Sequence, residues 1–172
     1  MPKSHEDDFL LEKFIETDFI RILKNELLHQ PKTGWVELTC GVLESGGVIH
    51  ALNPSITVAE GEVLSVEEKF QGGTGVNLTP PPRSMISKGA LADLKSQVET
   101  IARALRVENY ARLDLFYNIR TGQVYLIEAN TLPALTPATV LYQQAVCEIP
   151  PLYPRQFLEQ LVERRLLKKA PV

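Results

Sequence analysis

Between Tyr110 and Asn130 the chain reads YARLDLFYNIRTGQVYLIEAN, two alternating apolar and polar runs around a Thr-Gly pair. Alternation marks half-buried strands, and a turn between two such runs makes a β-hairpin. Successive side chains of a strand point to opposite faces. Arg112 and Asp114 therefore share one face, as do Glu128 and Asn130. With the turn centred near Thr121–Gly122, Asp114 falls opposite Glu128 and Arg112 opposite Asn130. Two carboxylates directly opposite each other repel. A hard cation such as Mg²⁺ relieves this through oxygen ligands, and an arginine beside it adds a fixed positive charge. Such a face suits a metal–phosphate complex. The same residue types also form the solvated face of many ordinary hairpins.

The residues after Asn130 favour the first reading. Thr136-Pro137 reads as an N-cap followed by proline at the first helical position, opening a helix PATVLYQQAVC. The start of a helix presents unpaired amides and a positive dipole end, which suits an anion. A cation site is thus expected beside an anion site.

A chain of 172 residues is long enough for one domain with a real core, or for two small lobes. A net charge of −3 without a basic block gives no reason to expect nucleic acid as a partner. The apolar runs are too short to span a bilayer, so no membrane partner is expected, and MPKSHEDD is unlike a secretory leader. The cytoplasm is the expected location. Cys40 and Cys147 do not make a disulfide framework and read as small buried hydrophobes. His5, His29 and His50 lack metal-ligand spacing.

Elsewhere FLLEKFI reads as a short strand and FIRILKNELLHQ as a helix, with Phe19, Ile22, Leu23 and Leu27 near helical spacing. VELTCGVL and VIHALNPSITV are strand-like around the turn ESGG, and EGEVLSVEEKF is extended. QGGTGVNLTPPPRS reads as a surface loop; its GGTG lacks the GK[ST] ending of a phosphate-binding loop. KGALADLKSQVETIARALRV carries one apolar stripe and is the clearest helix. YPRQFLEQLVERRLLKK reads as a final amphipathic helix. The fold class is α+β, an antiparallel sheet flanked by helices.

ARLDLF followed by YLIEANTLPALTPATVL resembles the R-x-D…-x-E-x-N-T-x-P-G-x-T segment of D-alanine–D-alanine ligases, members of the ATP-grasp superfamily. Upstream and in the same order, LLEKFI resembles that family's adenine strand and GWVELTCGVL the strand carrying its ribose acid. LNPSITV and VEEKF resemble the approach to its lid loop. The resemblance implies that residues 1–172 form the C-terminal ATP-grasp subdomain, with Glu16 to Lys32 as an insertion. It implies an ATP- and Mg-dependent carboxylate–amine ligase of peptidoglycan precursor synthesis, acting on D-alanine through an acylphosphate.

Carried over by position, Asp114, Glu128 and Asn130 match ligands of two Mg²⁺ (or Mn²⁺) ions bridging the ATP phosphates. Arg112 matches the arginine facing the tetrahedral oxyanion. Glu12, with Lys13, Phe14 and Ile15, matches the adenine contacts; Glu37 matches the ribose acid and Lys69 a phosphate-binding lysine. Thr139 and the amide of Val140 match the groups that hold the second substrate's carboxylate. Phe116, on the face of Asp114, is either a pocket wall or plain core.

The pattern departs from the family in three ways. The N-terminal substrate domain and the first ATP-grasp half have no counterpart in these residues. The isolated chain is therefore expected to be inactive and to need that half, or a partner chain, with a homodimer as a further expectation from exposed apolar surface. Ala134 stands where the family has an oxyanion-hole glycine. Phe70 stands where alanine-specific members have a lid tyrosine, which leaves D-lactate open as the second substrate. A non-catalytic nucleotide-binding or partner-assembly module is the alternative from another class.

Overall fold

The computed structural model describes residues 11–23, 26–58 and 76–167. Four strands form the central antiparallel sheet: β3 (Trp35–Ser45), β4 (Val48–Ala51), β7 (Tyr110–Asn118) and β8 (Val124–Asn130), in the order β4-β3-β7-β8. Two antiparallel strand pairs flank it, β1 (Phe19–Leu23) with β2 (Glu26–Gln30), and β5 (Ile56–Val58) with β6 (Val76–Leu78). Among the described residues three helices complete the fold: α1 (Lys88–Ala104), α2 (Val140–Val146) and α3 (Pro154–Leu167). The fold is α+β, as the sequence implies.

The two faces of the sheet have different covers. Val36, Leu38, Cys40 and Val42 of β3 and Ala111, Leu113, Leu115 and Tyr117 of β7 point to one side. There they meet Leu94, Val98 and Ala102 of α1 in the main core. Ser87 caps α1 by accepting from the Ala90 amide at 3.2 Å. On the other face, α2 and α3 cover only one end. Leu43, Leu52, Tyr142, Ala145 and Phe157 make a second core there, with Phe157 edge-on to both Tyr110 and Tyr142.

Several elements differ from expectation. Phe19–Leu23 and Glu26–Gln30 pair as antiparallel strands in place of the expected helix. Ile20, Ile22 and Leu27 face the main core in alternation, so the period of two prevails over the near-helical spacing. The first two also favour strands through their branching. Residues 11–15, expected as a strand, carry no strand pairing, and Leu11 and Phe14 are exposed. Val76–Leu78, expected in a loop, pairs with Ile56–Val58. The helix expected from Pro137 begins at Val140, with Thr139 as N-cap. Thr136-Pro137-Ala138-Thr139 instead closes a turn, the Thr139 amide donating to the Thr136 carbonyl at 2.9 Å. Proline at the second position of a turn presets the required φ. The expected extended segment 60–70, with Lys69 and Phe70, and the GGTG stretch lie outside the described residues, as does His5. Among the described residues no helix is long and apolar enough to cross a membrane.

Candidate metal and nucleotide site

The half-covered face of the sheet carries Trp35, Glu37, Thr39 and Gly41 from β3 and Arg112, Asp114 and Phe116 from β7. From the turn outward, Tyr117 lies opposite Val124, Phe116 opposite Tyr125 and Leu115 opposite Leu126. Continued unchanged, that register would set Asp114 against Ile127. A β-bulge leaves Ile127 unpaired and brings Glu128 opposite Asp114 and Asn130 opposite Arg112. The acid pair expected from the hairpin is thus present, and an irregularity invisible in the alternation creates it.

The four side chains converge. Arg112 donates through Nε to Asp114 Oδ1 at 3.2 Å and through Nη2 to Oδ2 at 3.1 Å. Asn130 Nδ2 donates to Glu128 Oε1 at 3.0 Å and, more weakly, to Asp114 Oδ2 at 3.4 Å. Thr39, directly across on β3, donates its hydroxyl to Asp114 Oδ1 at 2.7 Å. Thr39 was not among the expected residues, although Glu37 on a strand implies the same face for the residue two further on.

The donor chemistry fits a hard cation. Two carboxylates and an amide oxygen are the ligand types Mg²⁺ takes, and part of such a site is left to water and phosphate. Rotating the Asn130 amide by half a turn puts Oδ1 where Nδ2 now sits. The residue that satisfies the carboxylates without a cation then becomes an oxygen ligand. Among the described residues there is no cluster of three or more His, Cys, Asp or Glu side chains of metal-binding type. Within the mixed set of Asp114, Glu128 and Asn130, Glu128 is the exposed member.

At the open end of the same face, Trp35 stacks on Tyr125 with ring centroids 5.0 Å apart and planes 17° from parallel. With Lys13, Phe14, Ile15, Glu16 and Thr33 they line an open cleft of about 210 Å³. Three of the four expected adenine residues thus line a cleft; Glu12 is exposed beside it in the chain and does not line it. Glu37 is exposed on the strip of β3 between Trp35 and Thr39. The cleft is held by Asp18, whose Oδ1 accepts from the amides of Lys32, Thr33 and Gly34 at 2.7–2.8 Å. Its Oδ2 lies 2.9 Å from His29 Nε2. Burial alone would raise this carboxyl; the amide of Lys32, His29 and the amides of Gly34 and Thr33 override it and hold the pKa down at about 2. Thr33 in turn donates to the Glu16 carbonyl at 2.6 Å, which ties the cleft's two walls together.

At the covered end, Leu141 in the first turn of α2 packs over Gly41, the residue directly across from Arg112. Thr139 and Val140 immediately precede Leu141 at the start of this helix. The Thr139 side chain makes no capping bond to the helix. Ala134 is exposed in the segment joining β8 to α2. Cys40 is buried, and burial pushes its thiol up to about 12, which leaves it a hydrophobe rather than a nucleophile. Cys147 is half-buried and donates to the Thr79 carbonyl at 3.3 Å.

The family model described as "D-ala D-ala ligase C-terminus" matches residues 11–163. A D-alanine–D-alanine ligase of Nitratidesulfovibrio vulgaris is 31% identical over 121 residues, covering 70% of this chain and 37% of that protein. One from Desulfotalea psychrophila is 30% identical over 112 residues, covering 63% of this chain and 33% of that protein. Among solved structures, D-alanyl-alanine synthetase A of Vibrio cholerae aligns with a TM-score of 0.56 at 23% identity over 82% of this chain and 41% of its own. The Bacillus anthracis D-alanine–D-alanine ligase complexed with ATP aligns with a TM-score of 0.56 at 18% identity, over 83% of this chain and 41% of its own. At those identities the alignments establish the fold. The chain spans about a third of the length of the curated relatives it matches. On the family match across residues 11–163, the chain belongs to the D-Ala–D-Ala ligase C-terminal family.

Proposed function

We propose that this chain forms the Mg²⁺–ATP wall of an ATP-dependent carboxylate–amine ligase, and that the remaining part of the active site comes from elsewhere in a longer protein or from a partner chain. The convergence of Arg112, Asp114, Glu128 and Asn130 on one strip of sheet carries this reading. Asp114, Glu128 and Asn130 would hold Mg²⁺ or Mn²⁺, which when bound offsets the charge of the ATP phosphates. Lys13, Phe14 and Ile15, with Trp35 and Tyr125, would flank the adenine, and Glu37 would meet the ribose. Lys69 would reach a phosphate.

In the complete ligase a D-alanine carboxylate takes up the γ-phosphoryl group, and the amine of a second D-alanine displaces phosphate. Arg112 would support the second step by presenting its guanidinium to the developing oxyanion. Thr139 and the Val140 amide, at the start of α2, would orient the second substrate's carboxylate. The backbone amide of Ala134 is a further donor to the oxyanion. None of these roles asks for a covalent nucleophile, in keeping with the high pKa of Cys40.

Isothermal titration with Mg²⁺ and a non-hydrolysable ATP analogue tests the assignment. The wild-type chain is expected to bind the analogue in a Mg²⁺-dependent manner. Asp114→Ala or Glu128→Ala is expected to lose roughly ten-fold or more in affinity, the scale of a lost charge-assisted contact. Unchanged binding in both variants rules the metal assignment out.

A further inference from the structure

Gln144 of α2 is completely buried, and both ends of its amide are engaged. Its Oε1 accepts from the Gly41 amide at 2.7 Å, and its Nε2 donates to the Thr39 carbonyl at 2.9 Å and to Ser55 Oγ at 3.1 Å. These bonds fall where the edge of the sheet is interrupted. Beyond β4, the Leu52 amide still reaches the Gly41 carbonyl at 2.8 Å, and Ser55 exchanges two backbone bonds with Thr39. The Gln144 amide fills this gap in the ladder and supplies the acceptor that the Gly41 N–H requires. It comes close because Gly41 has no Cβ; one placed there would lie 2.6 Å from Leu141 Cδ2 and 2.8 Å from Gln144 Oε1.

The two residues that Gln144 grips are the ones facing the candidate site. Thr39 stands opposite Asp114 and donates to it, and Gly41 stands opposite Arg112. We propose that Gln144 is a positioning residue that locks α2 to the Thr39–Asp114 and Gly41–Arg112 pairs. It thereby sets the spacing between the metal ligands and the helix. This rests on the metal reading of Asp114, Glu128 and Asn130 given above. It assigns Gln144 no contact with metal or substrate; it acts through Thr39 and Gly41.

The test is Mn²⁺ binding to the whole chain, followed by water-proton relaxation, together with amide exchange by NMR. Gln144→Met keeps the size of the side chain and removes its donor and acceptor. It is expected to weaken Mn²⁺ binding roughly ten-fold or more, the usual scale for a residue that orients a ligand. It is also expected to speed exchange at Gly41 and Ser55 on the strand side and at Tyr142 in α2 together. Val98→Ala, which opens a hole in the main core on the opposite face of the sheet, is the stability control. It is expected to lower the melting temperature while leaving Mn²⁺ binding within about two-fold of wild type, since effects at separate sites add independently. Should Gln144→Met not fold, Gln144→Glu retains the acceptor for Gly41 and loses the donor, and the same readings apply to it. Wild-type-like Mn²⁺ binding in the folded variant overturns the proposal. A wild-type chain that does not bind Mn²⁺ counts against the metal reading instead, and the exchange data then decide: acceleration confined to α2 overturns the link, and acceleration on both sides upholds it.

Discussion

At Asp18 a buried carboxylate collects hydrogen bonds from three successive amides, Lys32 to Gly34, and from His29. Its pKa of about 2 lies below the ordinary 3.8, so the folded state favours the charged form. That difference corresponds to about 2 kcal/mol of stability. Because the folded value is the lower one, the contribution is complete above pH 4 and is lost as the pH falls toward 2. Asp18→Asn is expected to destabilise the chain by about that amount at pH 7. It is also expected to flatten the acid limb between pH 4 and 2 in urea unfolding followed at several pH values. Nothing in the sequence around Asp18 announces this role, because its partners lie up to 16 positions away and are mostly backbone. The acids of the hairpin were legible for the opposite reason. Alternation and a nearby turn, both local properties, bring Asp114 and Glu128 to neighbouring positions of one hairpin, and the bulge at Ile127 completes their pairing. Gln144 was not legible: a glutamine among apolar helix residues looks the same whether it meets solvent or a gap in a sheet.

At the scale of elements, legibility followed sequence separation. The hairpin β7–β8 and the helix α1 carry their periods in their own residues, and both are as expected. Residues 19–30 carry Phe19, Ile22 and Leu27 at near-helical spacing, but pairing with a neighbouring strand and packing on the main core decide for paired strands. The start of α2 was misplaced by three residues because Thr136-Pro137 serves a turn as well as it serves a helix cap. The contact between α2 and β3 gives this scale its prediction. Gly41→Ala sets a methyl against Leu141 and Gln144 at under 3 Å, with the sheet behind it unable to retreat. The expected cost is about 1–3 kcal/mol, the range for overpacking a tight site, read as a lowered urea midpoint at unchanged slope. A midpoint equal to wild type would show that α2 does not press on the strand there.

On the scale of the whole molecule, one sheet face is divided into three zones: a helix pair at one end, an aromatic cleft at the other and the charged strip between them. The fold class and the middle zone could be read from the chain. The cleft could be read only in part, since Trp35 and Tyr125 come from strands β3 and β8 that meet only through β7. The central claim is that cleft and charged strip together hold one Mg²⁺–nucleotide complex. Trp35 is the only tryptophan in the chain and lines the cleft, so its fluorescence reports on that site directly. Titration with a non-hydrolysable ATP analogue is predicted to change Trp35 emission in a saturable way. The affinity is predicted to rise at least roughly ten-fold with Mg²⁺ present, and this gain to vanish in Asp114→Ala. Emission that saturates identically with and without Mg²⁺, or a variant that keeps the Mg²⁺ gain, would contradict the account.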